Sequence, residues 1–225
     1  CSESLANKYQ KELNLKFPFV RNGVNVANFT KVDINTKIKI RKKLNLPMDK
    51  TILAYAGQFV ERKNQRFLLE IFKDYRELDR FVLLLMGDGA DYAELKSQFG
   101  ALPNVIFTGN IGNVNEYLQA ADIYISSSKS EGLPNGVLEA MATGLPVILS
   151  DIEQHKEIYD TNSMIGSLYR IGDKKDCIKR ICELTSDVCE KAGAEAYKCA
   201  HEQFSAEKMS RNYQSEYIKI INKKK

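Results

Sequence analysis

The sequence predicts an α/β fold in which a parallel, doubly wound sheet is covered by helices on both faces. Two observations lead to this prediction. From Thr51 onward, short apolar segments alternate with amphipathic segments, as they do in a β-α-β chain. The apolar segments, such as ILAYA and FVLLLM, are continuous rather than interrupted by polar residues, which is typical of strands buried on both faces. Together these patterns favour a Rossmann-like domain.

The expected strands share a short apolar run that is followed by a glycine or a polar residue. They are Thr51–Ala56, Phe81–Met86, Val105–Thr108, Asp122–Ser126, Pro146–Ser150 and a short segment near Ser167–Ile171. The four segments that separate the first five strands repeat apolar residues at helical spacing. These expected helices are Asn64–Tyr75, Tyr92–Phe99, Val114–Ala120 and Asn135–Thr143.

Other local signals extend this assignment toward both ends of the chain. Gly144, followed by Pro146, ends the fourth helix. Asp187 with a glutamate three residues later predicts a capping box for a helix that ends near His201. Before the first strand, FPFVRNGVNVANF predicts a strand, an Asn-Gly turn and a loop, and Ile34–Leu46 predicts a basic helix.

The last expected helix, Ser205–Asn222, carries an apolar stripe on an otherwise polar surface. The stripe consists of Met209, Tyr213, Tyr217, Ile220 and Ile221. Such a stripe requires a covering surface, either in this chain or in something outside it. The chain also opens with a cysteine rather than a methionine, so we expect a fragment or an excised domain. The final three lysines predict a solvated tail.

Composition sets broad limits. The chain has 225 residues, of which 44% are hydrophobic and 28% charged, as in an ordinary soluble globular domain. A net charge of +4 suits an anionic small ligand or a loose contact with a membrane surface, and it is too weak to indicate nucleic-acid binding. No apolar run approaches the roughly 18 residues of a membrane span, and no signal peptide is visible.

The cysteines and histidines argue against a metal site. There are five cysteines, without a CxxC pair, and two histidines. We therefore expect no metal, and free thiols in a reducing cytoplasm. His155, near the end of the fifth strand, is expected at the surface, with contact to a ligand bound at that end of the sheet as the alternative.

The candidate site lies where ligands of open α/β sheets bind, beyond the carboxyl ends of the strands. Glycines, small polar residues and cations cluster there, in GQFVERKN, GDGAD, GNIGN and SSKSEGLPNG. GDGAD is not a dinucleotide fingerprint, because the third glycine of that motif is missing. A plain strand-to-helix turn accounts for it equally well.

The loop before Asn135 has the properties of a phosphate site. A helix that begins there presents unpaired N–H groups and a positive end, which favour an anion. Gly136 lets the backbone approach closely, and Lys63, from another loop, supplies a full positive charge. Glu139, one turn into the helix, is placed to accept hydrogen bonds from sugar hydroxyls, and Glu131 lies nearer to whatever is attached beyond the phosphates.

In this order, the segments resemble the retaining, family-4 (group 1) glycosyltransferases of the GT-B fold. From Glu131 onward, EGLPNGVLEAMATGLPVI resembles the E-x7-E motif and its continuation, and YAGQFVERKN resembles the donor-phosphate loop. MGDGADYAEL resembles the glycine turn after the next strand, and FTGNIGNVNEYLQAADIYISSS the segment that borders the nucleotide base. VRNGVNVANF resembles the family's strand-turn segment leading into the C-terminal domain, so that the resemblance runs from about Phe19 to Ile158.

The resemblance implies that the chain is the C-terminal, nucleotide-sugar-binding half of such an enzyme. It implies catalytic roles for Glu131, which faces the donor sugar, and for Lys63, which binds phosphate, with neither a metal nor another cofactor. The donor contacts that it implies are Gly57, Gln58, Arg62, Lys63, Gly87, Asn110, Ile111, Leu133, Asn135, Gly136 and Glu139. Among these, Glu139 would bind the ribose.

Two positions depart from the family pattern. Gln58 stands where the family has a phosphate-binding arginine, and Arg62 is a candidate to replace it. Pro134 stands where many members have glycine, so this position offers no N–H group.

The resemblance further implies a division into an interdomain linker at residues 1–25, the donor-binding domain at 26–204, and a terminal helix at 205–225 that packs on an absent N-terminal acceptor domain. Without that domain the chain would be inactive. The expected donor is a UDP sugar, and the expected acceptor is a saccharide or a lipid-linked saccharide in bacterial capsule, exopolysaccharide or lipopolysaccharide biosynthesis. The expected location is cytoplasmic, with association at the inner membrane face left open.

Two other functions are compatible with these residues. One is a non-catalytic module that binds a nucleotide sugar, and the other is a nucleotide-sugar epimerase of the GT-B fold. The sequence does not identify the sugar, the base, the acceptor, the linkage or the oligomeric state.

Overall fold

A computed structural model describes residues 2–222. Cys1 and the predicted lysine tail at 223–225 lie outside the described residues. The described residues form one sheet of six parallel strands in the order β3-β2-β1-β4-β5-β6. The strands are β1 (Thr51–Ala56), β2 (Phe81–Met86), β3 (Val105–Gly109), β4 (Ile123–Ser126), β5 (Val147–Ser150) and β6 (Gly166–Tyr169). The predicted α/β class and the six strands predicted from Thr51 onward are confirmed.

Helices cover both faces of this sheet. In chain order they are α1 (Glu3–Leu13), α2 (Ile34–Lys43), α3 (Gln65–Asp74), α4 (Tyr92–Phe99), α5 (Val114–Ala120), α6 (Asn135–Ala142), α7 (Glu153–Tyr159), α8 (Lys174–Glu183), α9 (Ser186–Gln203) and α10 (Ala206–Asn222). Short 3-10 turns occur at Glu61–Lys63, Arg76–Leu78 and Ser163–Ile165. Because the helices shield both faces, every residue of β2, β4 and β5 is buried, as their continuous apolar sequences predict.

The strand order reverses between β1 and β4. The chain adds β2 and β3 on one side of β1, and then returns to place β4, β5 and β6 on the other side. This reversal is the topological switch point, where open α/β sheets bind their ligands. The two strands pair only at Leu53 with Ile123 and at Ala54 with Tyr124. Their carboxyl ends are therefore free to diverge into separate loops, and a cleft lies between those loops.

Helix α6, which begins at this cleft, is fixed by close packing on both sides. Val137, Leu138 and Met141 are buried in the core. On the outer side α9 approaches so closely that a side chain at Gly193 would collide with the backbone carbonyl of Gly144. The body of α6 and the turn that ends it are thus tightly packed in the domain.

Two local predictions are wrong. Helix α9 begins at Ser186 after Thr185, whose side chain makes no cap hydrogen bond, and Asp187 lies inside the first turn, so there is no capping box at Asp187. The strand predicted in FPFV, before the Asn22-Gly23 turn, is absent, because residues 17–20 form no strand. The backbone pairing begins at Val24, which donates its N–H to the carbonyl of Phe204 and accepts from the N–H of Ala206, each at 2.8 Å. The backbone of this segment is satisfied by the junction between α9 and α10 rather than by a neighbouring strand.

The apolar stripe on α10 is present, and from Tyr213 onward it is left exposed by residues 2–222, whereas Met209 is half-buried against Gly23. Tyr217 is 61% exposed, Ile220 47% and Ile221 59%. A cavity of about 360 Å³ lies between this helix and the segment after α1, where it is lined by Phe17, Pro18 and Ile220 among others. Within the described residues, no helix combines the length and the apolar character that crossing a membrane requires.

Candidate functional site

A cleft of about 760 Å³ lies at the switch point, between the loops that follow β1, β2, β3 and β4. It contains every site residue that the sequence predicts, although these residues come from four separate segments of the chain. They are Gly57, Gln58, Arg62, Lys63, Gly87, Asn110, Ile111, Glu131, Leu133, Asn135, Gly136 and Glu139. Parallel strands bring their carboxyl ends to one edge of the sheet, which explains why residues so far apart in sequence meet.

One wall of the cleft is the start of α6. Pro134 precedes the helix in an extended conformation, and no side chain caps the helix end. The first N–H groups of a helix lack intrahelical partners and carry a partial positive charge. Gly136 is required here by what lies beneath it, since a Cβ would stand 2.5 Å from the Tyr124 hydroxyl and 2.9 Å from the Ala56 carbonyl. The amide-rich helix start therefore sits directly on the ends of β1 and β4.

The opposite wall is the 3-10 turn after β1, which carries two cations. Lys63 Nζ lies 2.6 Å from Glu131 Oε1, and Arg62 Nη1 lies 3.2 Å from Glu131 Oε2. The Glu131 side chain is only 5% exposed and that of Lys63 14%, whereas Arg62 is 48% exposed. The sequence predicts a sugar-facing carboxylate at Glu131, and the structure shows in addition that this carboxylate pairs with the expected phosphate-binding lysine.

Backbone and side-chain hydrogen bonds tie the loops after β1 and β4 together. Lys129 donates its N–H to the Arg62 carbonyl at 2.7 Å. Ser127 Oγ donates to the Asn64 carbonyl at 2.8 Å, and the Asn64 amide donates to the Ser127 carbonyl at 3.3 Å. The two loops therefore form one connected unit that fixes the separation of Lys63 and Glu131.

The glycine turn after β2 packs against the loop after β1. Gly87 has a φ of 131° and Gly89 a φ of 156°, which favour glycine. A side chain at either position would collide with backbone carbonyls, of Gly57 and of Phe59 respectively. The glycines of GDGAD are thus needed for loop-to-loop packing, and Gly87 also lines the cleft.

The two carboxylates of the cleft differ in their ionisation. Burial raises the pKa of Glu131, but the charge of Lys63 and hydrogen bonds from Lys63 and Ser128 outweigh it, and the net pKa is below the ordinary value. Burial alone acts on Glu139 and raises its pKa. Glu131 is therefore held as an anion, whereas Glu139 retains a proton at a higher pH than an ordinary glutamate does.

The sequence-based prediction for His155 is wrong, because this residue is fully buried. It points inward from α7, where its Nδ1 lies 2.8 Å from the Ser150 carbonyl. Ile158, three residues later, is also buried, and this spacing on one helix face is the signal that identifies the buried side. Burial lowers the pKa of His155 to about 4.

This buried histidine should make the domain less stable in acid. The unfolded chain protonates His155 below its ordinary pKa of 6.5, while the folded state resists protonation down to about 4. Acid therefore favours unfolding across that range. Between pH 7 and pH 5 we expect His155 to lower the free energy of unfolding by roughly 2 kcal/mol. Urea unfolding at both pH values should show a smaller loss for His155→Asn than for the parent. His201→Asn is the control, and equal losses in the parent and His155→Asn would contradict the assignment.

Metal ligands are not grouped in the described part of the chain: residues 2–222 contain no cluster of three or more histidine, cysteine or acidic side chains. Cys177, Cys182, Cys189 and Cys199 are free thiols. The absence of a catalytic metal stays a prediction from the sequence.

The fold and the cleft define a class of protein, the open α/β domains that carry a ligand site at the carboxyl edge of a parallel sheet. Within that class the chain belongs to the family "Glycosyl transferases group 1", whose model matches residues 36–199. The expected membership of glycosyltransferase group 1 is thereby confirmed, while family 4, retention and the C-terminal placement of this chain stay predictions.

Three similar proteins illustrate the relationship. The "Putative glycosyltransferase EpsD" of Bacillus subtilis is 33% identical over 212 residues, which are 90% of this chain and 55% of that protein. The "UDP-Gal:alpha-D-GlcNAc-diphosphoundecaprenol alpha-1,3-galactosyltransferase" of Escherichia coli is 27% identical over 184 residues, 72% of this chain and 46% of that protein. The crystal structure of Anabaena HepE in complex with UDP matches this chain with a TM-score of 0.81 at 15% identity. The match covers 97% of this chain and 62% of the HepE chain.

These comparisons also show how far the match extends. The chain spans about half the length of the two curated relatives. The likeness to HepE, at 15% identity, supports the Rossmann-like fold and carries no residue roles.

Proposed function

We propose that this chain is the donor-binding half of a retaining, metal-independent glycosyltransferase. It would bind a nucleoside-diphosphate sugar, with UDP as the expected nucleotide. The observation that carries the proposal is the meeting, in one cleft, of a helix start, a lysine and two carboxylates of opposite pKa shift. Two related proteins support the choice of donor, since one is named for a UDP-galactose donor and another was solved with UDP.

The charge on the diphosphate would be balanced by the walls of the cleft. When the sugar departs, negative charge grows on the phosphate oxygen of the leaving group. Lys63 and the N–H groups at the start of α6 are placed to stabilise that charge. Arg62, exposed at the rim of the cleft, would supply the second cation that Gln58 does not provide.

Glu131 would change partners as the donor binds. A diphosphate competes with Glu131 for Lys63, because both are anions and one ammonium serves both. A donor that draws Lys63 and Arg62 toward its phosphates leaves the Glu131 carboxylate facing the sugar. There it would accept a hydrogen bond from a sugar hydroxyl and stabilise the positive charge that develops on the sugar. The acceptor hydroxyl would attack from the leaving-group side, as the resemblance to the retaining family implies.

The remaining parts of the reaction would lie outside this chain. We assign acceptor binding to an N-terminal domain of the same protein, against which the exposed stripe on α10 would pack. The acceptor would be a saccharide or a lipid-linked saccharide of a bacterial envelope polysaccharide, such as the acceptor named for the Escherichia coli relative. The reaction would take place in the cytoplasm or at the inner membrane face.

Titration calorimetry of this chain with UDP, GDP and ADP tests the proposal. We expect UDP to bind best and with modest affinity, since a cleft open on one side leaves part of the ligand hydrated. We also expect no turnover of a UDP sugar by the isolated chain. Failure of all three nucleotides to bind would overturn the proposal.

The ribose contact predicts a specific pH dependence. If ionised Glu139 accepts hydrogen bonds from the ribose, UDP affinity should fall as acid protonates it, and the fall should begin above the ordinary glutamate range because burial raises its pKa. Glu139→Gln should bind UDP about tenfold more weakly at neutral pH and should lack this part of the pH dependence. The phosphates of UDP titrate equally in both proteins, so the difference between the two curves isolates Glu139. Identical curves would contradict the ribose contact.

A further inference from the structure

A cluster of buried hydroxyl groups lies directly beneath the two charged loops of the cleft. It consists of Tyr55 near the end of β1, Ser126 at the end of β4, Ser128 two residues later, and Ser150 at the end of β5. Their exposures are 2%, 1%, 0% and 0% respectively. None of these side chains lines the cleft, so the cluster acts on the site from below.

Ser128 connects this cluster to Glu131. Its Oγ lies 2.6 Å from Glu131 Oε1. An ionised carboxylate only accepts hydrogen bonds, so Ser128 must be the donor. Ser128 is itself held on both sides, because Ser126 Oγ donates to its hydroxyl at 3.3 Å and Ser150 Oγ donates to its carbonyl at 2.6 Å. The serine hydroxyl therefore has one orientation, with its hydrogen directed at Glu131.

Tyr55 links Ser128 to the lysine loop. Its hydroxyl lies 2.9 Å from the carbonyl of Lys63 and 3.0 Å from Ser128 Oγ. Since the Ser128 hydrogen is committed to Glu131, the single tyrosine hydrogen must serve both contacts, and it has the Lys63 carbonyl and Ser128 Oγ as its two acceptors. One buried hydroxyl thus joins the loop that carries Lys63 to the loop that carries Glu131.

These bonds distinguish the two oxygens of Glu131. Oε1 receives Lys63 at 2.6 Å and Ser128 at 2.6 Å, whereas Oε2 contacts only the half-exposed Arg62, at 3.2 Å, among the described residues. If a donor draws both cations toward its phosphates, Ser128 is the partner that stays. It would keep Oε1 in place and leave Oε2 available to the sugar.

We propose that Ser128, oriented by Tyr55, is a positioning residue that fixes the Glu131 carboxylate in its sugar-facing orientation. The inference rests on the proposed function of Glu131 and adds to it the group that holds this carboxylate while Lys63 binds phosphate. Misplacing a reacting group by about 1 Å can cost about a hundredfold in rate. In the full-length protein, Ser128→Ala should therefore lower kcat for sugar transfer about ten- to a hundredfold and leave UDP affinity within about twofold of the parent.

The contact can be tested without a donor, by the titration of Glu131 in this chain. Carboxyl carbon resonances of labelled glutamate are followed by NMR as pH is varied, and the Glu131 signal is assigned by its loss in Glu131→Gln. Ser128→Ala removes a hydrogen bond that favours the ionised form, so the Glu131 titration should move to higher pH. Tyr55→Phe, which keeps the ring in place, should move it in the same direction by less.

Tyr169→Phe is the matched control. Tyr169 is also a buried tyrosine, and its hydroxyl donates to the Ser126 carbonyl at 3.1 Å without touching Glu131. This variant loses one buried hydrogen bond and should leave the Glu131 titration unchanged. An unchanged titration in folded Ser128→Ala would overturn the inference. Should that variant fail to fold, an unchanged titration in Tyr55→Phe would overturn it equally. The titration does not depend on the proposed function. A parent chain that fails to bind UDP would overturn that function and leave the titration result unaffected.

Discussion

Glu131→Gln should reduce sugar transfer by the full-length protein at least about a hundredfold, which is the usual cost of losing one preorganised electrostatic contact in an active site. Glutamine has nearly the shape of glutamate and can still accept a hydrogen bond from Ser128, but it carries no charge to favour the positive charge that develops on the sugar. Transfer would be measured as radiolabel moved from UDP sugars into a lipid extract of the source membranes.

The same substitution should not weaken the binding of UDP itself. Glu131 Oε1 lies 2.6 Å from Lys63 Nζ, so removal of its charge frees the ammonium for the diphosphate, and we expect UDP affinity to equal or exceed that of the parent. Glu153→Gln, at an exposed position on α7, is the control for the loss of one negative charge. If Glu131→Gln transferred sugar as fast as the parent, Glu131 would have no role in the mechanism. Conversion between free nucleotide sugars without an acceptor would indicate an epimerase instead.

Lys63→Ala should have the opposite effect on binding. This substitution removes the partly buried Lys63 ammonium from the cleft and should lower UDP affinity at least about tenfold, since a hydrogen bond to a charged group contributes about 1.5–3 kcal/mol. Transfer should fall further than binding, because charge on the leaving phosphate increases in the transition state. Calorimetry with UDP measures the loss of affinity, and the radiolabel assay measures the loss of sugar transfer.

Lys129→Ala is the matched control for this variant. Lys129 lies on the facing loop and pairs with the exposed Glu61 at 3.3 Å, so the substitution removes the same charge without touching the cleft. UDP affinity should stay near that of the parent, apart from a small, salt-dependent change. Equal affinities for Lys63→Ala and the parent would show that the phosphate assignment is wrong.

The fold was predictable because its signals are local. Continuous apolar runs such as FVLLLM identify strands buried on both faces, and the carboxyl ends of parallel strands must share one edge. That rule is sufficient to bring Lys63, Glu131 and Glu139 together. The failed strand prediction before α2 has the opposite cause. FPFV has strand-like composition but forms no strand, and the backbone pairing that follows it, at Val24, goes to the α9–α10 junction, which is distant in sequence.

The state of the site could not be predicted from sequence, because it depends on long-range contacts. Lys63 and Glu131 are 68 residues apart, and Tyr55 and Ser128 are 73 residues apart. In the sequence, Tyr55 is part of an apolar strand, and Ser128 is one of several serines in a polar loop. Only the three-dimensional structure shows that they share one hydrogen-bond network with the carboxylate of the cleft.

A crystal structure of this chain with bound UDP tests the central claim most directly. The account predicts diphosphate oxygens within hydrogen-bond distance of Lys63 Nζ and of the N–H groups at Asn135 and Gly136, with the ribose hydroxyls at Glu139. UDP bound elsewhere, with Lys63 still paired to Glu131 and no phosphate at the start of α6, would contradict it.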